Sequence, residues 1–127
     1  MSIKLIAEAK LAINMAHAPY SGFSVGAAVF GDNDKIYHGA NIEVNCSSAG
    51  MCAERVALAK CITAGAKPIH IVIAADTVKC ISPCGSCRQF MIEFAPLKVT
   101  MTNLNGEVHA TTINQLLPAE YDRKVKR

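Results

Sequence analysis

The sequence predicts an α/β domain in which helices are layered on a mixed sheet. Three observations predict it. Helical and strand-like patterns alternate along the chain, and the strand-like runs are short and rich in branched apolar residues. In addition, 51% of the 127 residues are hydrophobic, enough for one buried core. A chain of this length is expected to form one domain spanning residues 1–127, and it shows no repeat, linker or low-complexity stretch.

The elements follow in order. Ile3, Ile6, Ala9, Ile13 and Ala16 recur near a 3.6-residue period, with Lys4, Glu8 and Lys10 off that stripe. This predicts a helix over residues 3–17, ended by the Pro19 and Gly22 turn signals. Val25 to Phe30 is an apolar strand, Gly31 to Asp34 a turn, and Lys35 to Asn41 the returning strand of a hairpin. Cys52 to Ala64 reads as a second helix with Gly65 at its C-terminal stop. Ile69 to Ala75 reads as a buried strand, and Gly85 to Phe94 as a third helix closed before Pro96. Val99 to Thr102 is another strand, and Asn105-Gly106 signals a hairpin into residues 107–111. Thr112 to Gln115 resembles a capping box opening a last short helix. The hairpin supplies an antiparallel pair, and the later helical crossovers predict parallel strands.

Charge and composition narrow the function classes. The net charge is +3, but Arg123, Lys124, Lys126 and Arg127 crowd the last five positions. The remaining nine basic residues face ten acidic ones, a balance of −1. That argues against a basic nucleic-acid groove, and aromatics at 6% argue against stacking platforms. The terminal charge run reads as a solvated, frayed tail. No apolar run reaches the roughly 18–20 residues needed to span a membrane, and the N-terminus lacks a signal-peptide pattern. A cytoplasmic protein is expected, in which six cysteines serve metal binding or catalysis rather than disulfides. The low charged fraction, 18%, points toward an oligomer.

The chemistry concentrates in two segments, Cys52-Ala53-Glu54-Arg55 and Pro83-Cys84-Gly85-Ser86-Cys87-Arg88-Gln89. Cys52, Cys84 and Cys87 supply three thiolate ligands for one Zn2+. Zinc favours four-coordinate geometry, so three protein ligands leave a vertex for water, which then becomes a nucleophile near neutral pH. Glu54, two residues from a ligand, is placed to move that water's proton. The cysteines are expected at helix N-termini, whose free N–H groups and positive dipole offset the thiolate charge. Arg55 draws off more of that charge by hydrogen bonding to sulfur. These parts fit a hydrolytic deaminase.

Three further cysteines, Cys46, Cys61 and Cys80, stand beside this set. Cys61 lies about 13 Å along a helix from Cys52, too far to share the ion, and Cys46 has no partner at metal spacing. Both read as small buried apolar groups. Cys80 stays open as a fourth ligand, which would close the site and make a non-catalytic, zinc-stabilised interaction module. Cys80, Cys84 and Cys87 also show the C-x3-C-x2-C spacing that resembles radical S-adenosylmethionine enzymes, though those use a much larger barrel. His17, His38, His70 and His109 stand away from the ligand segments and read as surface or structural residues.

With these segments in view, the chain resembles the small homotetrameric cytidine deaminases. Beyond the two metal segments, the likeness rests on Ala18 to Ala28, on Asn41-Ile42-Glu43 and on the eleven-position step from Asn41 to Cys52. Thr102-Asn103-Leu104 and Leu116-Leu117-Pro118 add to it. The resemblance implies a three-layer α/β/α fold with a mixed five-stranded sheet. It further implies one zinc per subunit and hydrolysis of cytidine and deoxycytidine in pyrimidine salvage. Phe23 would stack on the pyrimidine, Asn41 and Glu43 would hydrogen-bond a ribose hydroxyl, and the Ala53 main chain would meet the base edge. Tyr121 matches a C-terminal aromatic that reaches a neighbouring subunit's pocket. The chain departs from the family pattern at Val44, usually Asn, and at the small segment Ser47-Ser48-Ala49, where an aromatic is usual. A roomier pocket and altered nucleosides are one consequence. The related blasticidin S deaminases act on a larger aminoacyl nucleoside but lack N-x-E, and this chain sides with the nucleoside branch.

Overall fold

A computed structural model describes residues 2–125. The outer two charges of the predicted terminal run, Lys126 and Arg127, and the N-terminal Met1 lie outside the described residues.

The first helix, α1 (Ser2–Ala12), is followed by a 3-10 turn, Ile13–Met15. It ends earlier than the predicted residue 17, because His17 leaves the helix to pair with the Asn41–Glu43 segment. Its N–H donates to the Asn41 carbonyl (2.9 Å) and its carbonyl accepts from the Glu43 N–H (2.7 Å). The buried stripe also differs from the periodicity. Leu5, Ala9 and Ala12 are buried, while Ile3 is 86% exposed. Close packing on the sheet explains the shift, since a Cβ at Gly26 would lie 2.3 Å from the Ala9 carbonyl oxygen. Only alanine-sized side chains allow that approach.

The strands are β1 (Val25–Gly31), β2 (Ile36–Ala40), β3 (Pro68–Ala75), β4 (Lys98–Asn103) and β5 (Val108–Thr112). They form one mixed sheet in the order β2-β1-β3-β4-β5. β1 is antiparallel to both β2 and β3, and β4 is antiparallel to β5. Only β3 and β4 run parallel, with Ile71 opposite Val99. The prediction of parallel strands thus holds for one pair. The crossover from β2 through the second helix passes over β1 and places β3 on its far side.

The remaining helices are α2 (Ala53–Thr63), α3 (Gly85–Ile92) and α4 (Ile113–Leu116). Strand alternation divides the core in two. Ala27, Val29, Ile71, Ile73 and Val99 face α2 and α3, packing on Leu58, Cys61, Met91 and Leu97. Ala28, Val72 and Ala74 face α1. This makes three layers, α/β/α. Each fully buried leucine, such as Leu58, contributes about 1.5–3 kcal/mol.

α2 is the best-specified helix. It ends in a Schellman arrangement, with Gly65 N–H to Ile62 O (3.0 Å) and Ala66 N–H to Cys61 O (3.1 Å), and Gly65 takes the left-handed φ of 86° that the motif requires. Its first turn lies hard against β2. A Cβ at Gly39 would stand 2.4 Å from the Ala57 nitrogen and 2.5 Å from the Ala53 oxygen. At the far end of the sheet, Thr112 caps α4 by accepting from the Gln115 N–H at 3.4 Å.

Candidate active site

Cys52 is the N-cap of α2 and Cys84 the N-cap of α3, with Cys87 in the first turn of α3. Both residues hold extended backbone, so each chain enters its helix with sulfur and free N–H groups on the same side. The Sγ atoms of Cys52 and Cys84 are 3.9 Å apart and those of Cys84 and Cys87 3.5 Å apart. All three lie within 4.8 Å of one another. Tetrahedral zinc with bonds of about 2.3 Å spaces its sulfurs about 3.8 Å apart, so the three sulfurs fit one such ion with little movement. Among the described residues no other group of three potential ligands gathers in this way.

Burial pushes the Cys52 thiol above its ordinary pKa and the Cys87 thiol further still. Burial also acts to raise Cys84, but hydrogen bonds with Cys87 and Cys52 outweigh it and hold that thiol below its ordinary value. Metal binding therefore has to displace protons. The Arg55 guanidinium approaches Cys52 Sγ at 4.0 Å, and its buried Nε has no partner among the described residues, a donor left over beside a site suited to anionic sulfur.

Glu54 follows in the first turn of α2 and is only 4% exposed. Burial pushes its carboxyl above the usual carboxylate range. Ala53, the first residue of the same helix, is fully buried.

Cys80 stands elsewhere. Its Sγ donates to the Met101 carbonyl (3.3 Å) and its N–H to Glu107 Oε1 (2.6 Å), and its thiol is pushed up to about 11 by burial and the Glu107 hydrogen bond. It is not gathered with the other three sulfurs, so the closed four-sulfur arrangement has no geometric support. Instead it anchors the loop that carries Cys84. The fully buried Asn103 braces the same loop, donating to the carbonyls of Thr77 (3.0 Å) and Val78 (3.1 Å) while accepting from the N–H groups of Asn105 and Glu107. Cys61 is buried on β-side packing as expected, whereas Cys46 is exposed rather than buried. Cys46 sits in a loop between Glu43 and the 3-10 turn Ser47–Ala49, where no core covers it.

A cavity of about 550 Å3 opens beside Cys52, lined also by Tyr20, Asn41, Glu43, Val44, Ser47, Ser48 and Arg55. Asn41 and Glu43 face it while also holding the preceding loop. Asn41 Nδ2 donates to the Phe23 carbonyl and its Oδ1 accepts from the Val25 N–H, both at 2.8 Å. The Glu43 carboxylate accepts from the Ser21 hydroxyl and from the N–H groups of Ser21 (2.9 Å) and Tyr20 (3.1 Å). Those bonds, the Ser21 hydroxyl first among them, hold its carboxyl below the usual carboxylate range. The structure thus brings Asn41, Glu43, Cys52 and Arg55 to one cavity. Phe23 stands outside its lining, 43% exposed. Tyr121 lies in a separate groove with Gln89 and is 71% exposed.

Sequence reasoning assigned no role to Ser21, Arg88 or Gln89, although each stands inside a segment it singled out. Arg88 ties α3 to the chain on both sides, donating to the carbonyls of Pro83 and Leu116 at 2.9 Å. Their signal was position within those segments, but each also has a partner more than twenty positions away, Glu43, Leu116 and Tyr121 in turn. Two of the histidines make structural contacts, His38 with Glu8 at 3.3 Å and His70 with Thr100 at 2.8 Å, and His109 lies on the surface.

Comparison with known proteins agrees with this geometry. The chain is 43% identical to a cytidine deaminase of Sporosarcina psychrophila, covering 95% of this chain and 91% of that protein. It is 41% identical to a cytidine deaminase of Halalkalibacterium halodurans over 92% and 91%. Its fold superimposes on the crystal structure of cytidine deaminase from Burkholderia pseudomallei with a TM-score of 0.91 at 40% identity, covering 95% of this chain and 99% of that one. Residues 2–103 match the family described as cytidine and deoxycytidylate deaminase zinc-binding region, and the chain is a member of that family of zinc-binding hydrolytic deaminases.

Proposed function

We propose that this chain hydrolyses the exocyclic amino group of cytidine and deoxycytidine, yielding uridine or deoxyuridine and ammonia. The observation that carries the reading is the gathering of three sulfurs at two helix N-termini, with the buried carboxyl of Glu54 in the adjoining turn. Cys52, Cys84 and Cys87 would hold zinc, which when bound would supply a Lewis acid and lower the pKa of the attacking water.

The chain's own residues do the rest. Glu54 takes a proton from the attacking water as oxygen bonds to C4, and delivers it to N3. It then carries the second proton to the amino group, which leaves as ammonia when the C4–N bond breaks. Positioned proton transfer of this kind is worth about 10²–10⁴ in rate. Arg55 offsets thiolate charge and keeps the metal electrophilic. Phe23 stacks on the pyrimidine, the Ala53 main chain meets the base edge, and Asn41 and Glu43 bind one sugar hydroxyl. After the loop contacts described above, Glu43 Oε2 keeps an acceptor site and Asn41 keeps one N–H, enough for a hydroxyl that donates to one and accepts from the other.

The same reading makes the protein a homotetramer recycling free pyrimidine nucleosides in the cytoplasm, with Tyr121 reaching a neighbouring copy. Exposed apolar side chains on α1, the 3-10 turn that follows it and α3, including Leu11, Met15 and Phe90, support association. Free thiols suit a reducing compartment. Metal analysis, together with the ultraviolet change on mixing with cytidine, deoxycytidine, cytosine and single-stranded DNA, tests the reading. One zinc per chain and turnover of the two nucleosides alone are expected. A zinc-loaded protein inert toward both nucleosides would overturn it.

A further inference from the structure

Ser21 joins two residues read above as gripping different ends of the substrate. Its hydroxyl accepts from the Phe23 N–H at 3.0 Å and donates to Glu43 Oε2. Asn41 holds the carbonyl of the same Phe23 at 2.8 Å. Both main-chain polar groups of Phe23 are therefore fixed by side chains, and one of those side chains is bonded to the Glu43 carboxylate.

A carboxylate offers about four acceptor sites. Two on Glu43 Oε1 are taken by the N–H groups of Tyr20 and Ser21, and Ser21 Oγ takes one on Oε2. Without that hydroxyl, Oε2 keeps no partner among the described residues and the carboxylate is held from one oxygen only. The Phe23 N–H loses its acceptor in the same step. Ser21 is itself exposed, so its truncation opens no cavity in the core.

We propose that Ser21 is a positioning residue for nucleoside binding: its single hydroxyl sets the Phe23 ring and the Glu43 carboxylate in a fixed relation, so that base and sugar are received together. The inference rests on the reading of Phe23 and Glu43 as substrate contacts. It assigns Ser21 an effect on affinity, because neither Phe23 nor Glu43 handles the transferred proton.

Steady-state kinetics of zinc-loaded protein with cytidine test it. Ser21→Ala should raise KM about tenfold, the worth of a hydrogen bond to a charged group, and leave kcat within about twofold. Ser21→Thr restores the hydroxyl and should return KM toward the parent value. A parental KM in Ser21→Ala overturns the inference, as does a fall in kcat matching the rise in KM that threonine does not rescue. Phe23→Ala and Glu43→Gln separate the two levels. If both leave KM unmoved, the reading of those contacts fails. If both raise KM while Ser21→Ala does not, only the role of Ser21 falls.

Discussion

The side-chain amide of Gln89 closes a ring of two hydrogen bonds with the main chain of Tyr121: Nε2 donates to the Tyr121 carbonyl at 2.9 Å and Oε1 accepts from the Tyr121 N–H at 3.0 Å. Gln89 lies two residues beyond Cys87, so the helix that carries two of the clustered sulfurs also holds the C-terminal segment. Gln89→Ala removes both bonds at an exposed site. The Tyr121 amide should then exchange with solvent about threefold to tenfold faster, as expected for roughly 0.5–1.5 kcal/mol per bond. Hydrogen exchange read by mass spectrometry on the C-terminal peptide checks this.

Glu54→Gln keeps the shape of the buried side chain and removes its ability to carry a proton. Zinc content and thermal midpoint should stay near parental values while kcat for cytidine falls by about 10²–10⁴. Parental turnover would take Glu54 out of the reaction.

Cys84→Ser replaces the middle sulfur of the cluster, which lies within 3.9 Å of Cys52 and 3.5 Å of Cys87. Zinc per chain should fall well below one by metal analysis, with activity falling in parallel. The far-ultraviolet circular dichroism should persist, because Cys84 belongs to neither of the apolar clusters that pack on the two sheet faces.

Gly39 sits where α2 touches β2, and an added Cβ meets main-chain atoms at 2.4 and 2.5 Å. Main chain cannot rotate aside as a side chain does. Gly39→Ala should therefore cost about 1–3 kcal/mol or more. It should also lower kcat, because the turn that is pushed away carries Cys52 and Glu54. Denaturant melts and kinetics on the same preparation read both effects.

His70 carries a pH signature. Burial, followed by the neighbouring Lys98, lowers its folded pKa below the ordinary histidine value. The unfolded chain then takes up this proton first as pH falls, so stability rises with pH across the window between the two values. Its contribution is complete above about pH 6.5 and is lost as pH drops from there toward the folded value. Thermal midpoints of the parent should decline over that acid window. His70→Gln, which can still bond Thr100, should flatten the decline.

Local chemistry made much of this protein legible in its sequence. Branched apolar runs announced the strands, Asn105-Gly106 the last hairpin, and Gly65 the end of α2. The spacing of Cys84 and Cys87 placed two thiols on one helix turn, because a helix start is set by residues within a few positions of it. Long-range packing decided the rest. Which stripe of α1 is buried followed from the closeness of Gly26, and periodicity alone chose Ile3 wrongly. The antiparallel pairing of β1 with β3, the removal of Cys80 to Met101 and Glu107, and the grip of Ser21 on Glu43 each join residues more than twenty positions apart. Such contacts depend on where whole layers come to rest on one another, and no pattern confined to one segment contains that information.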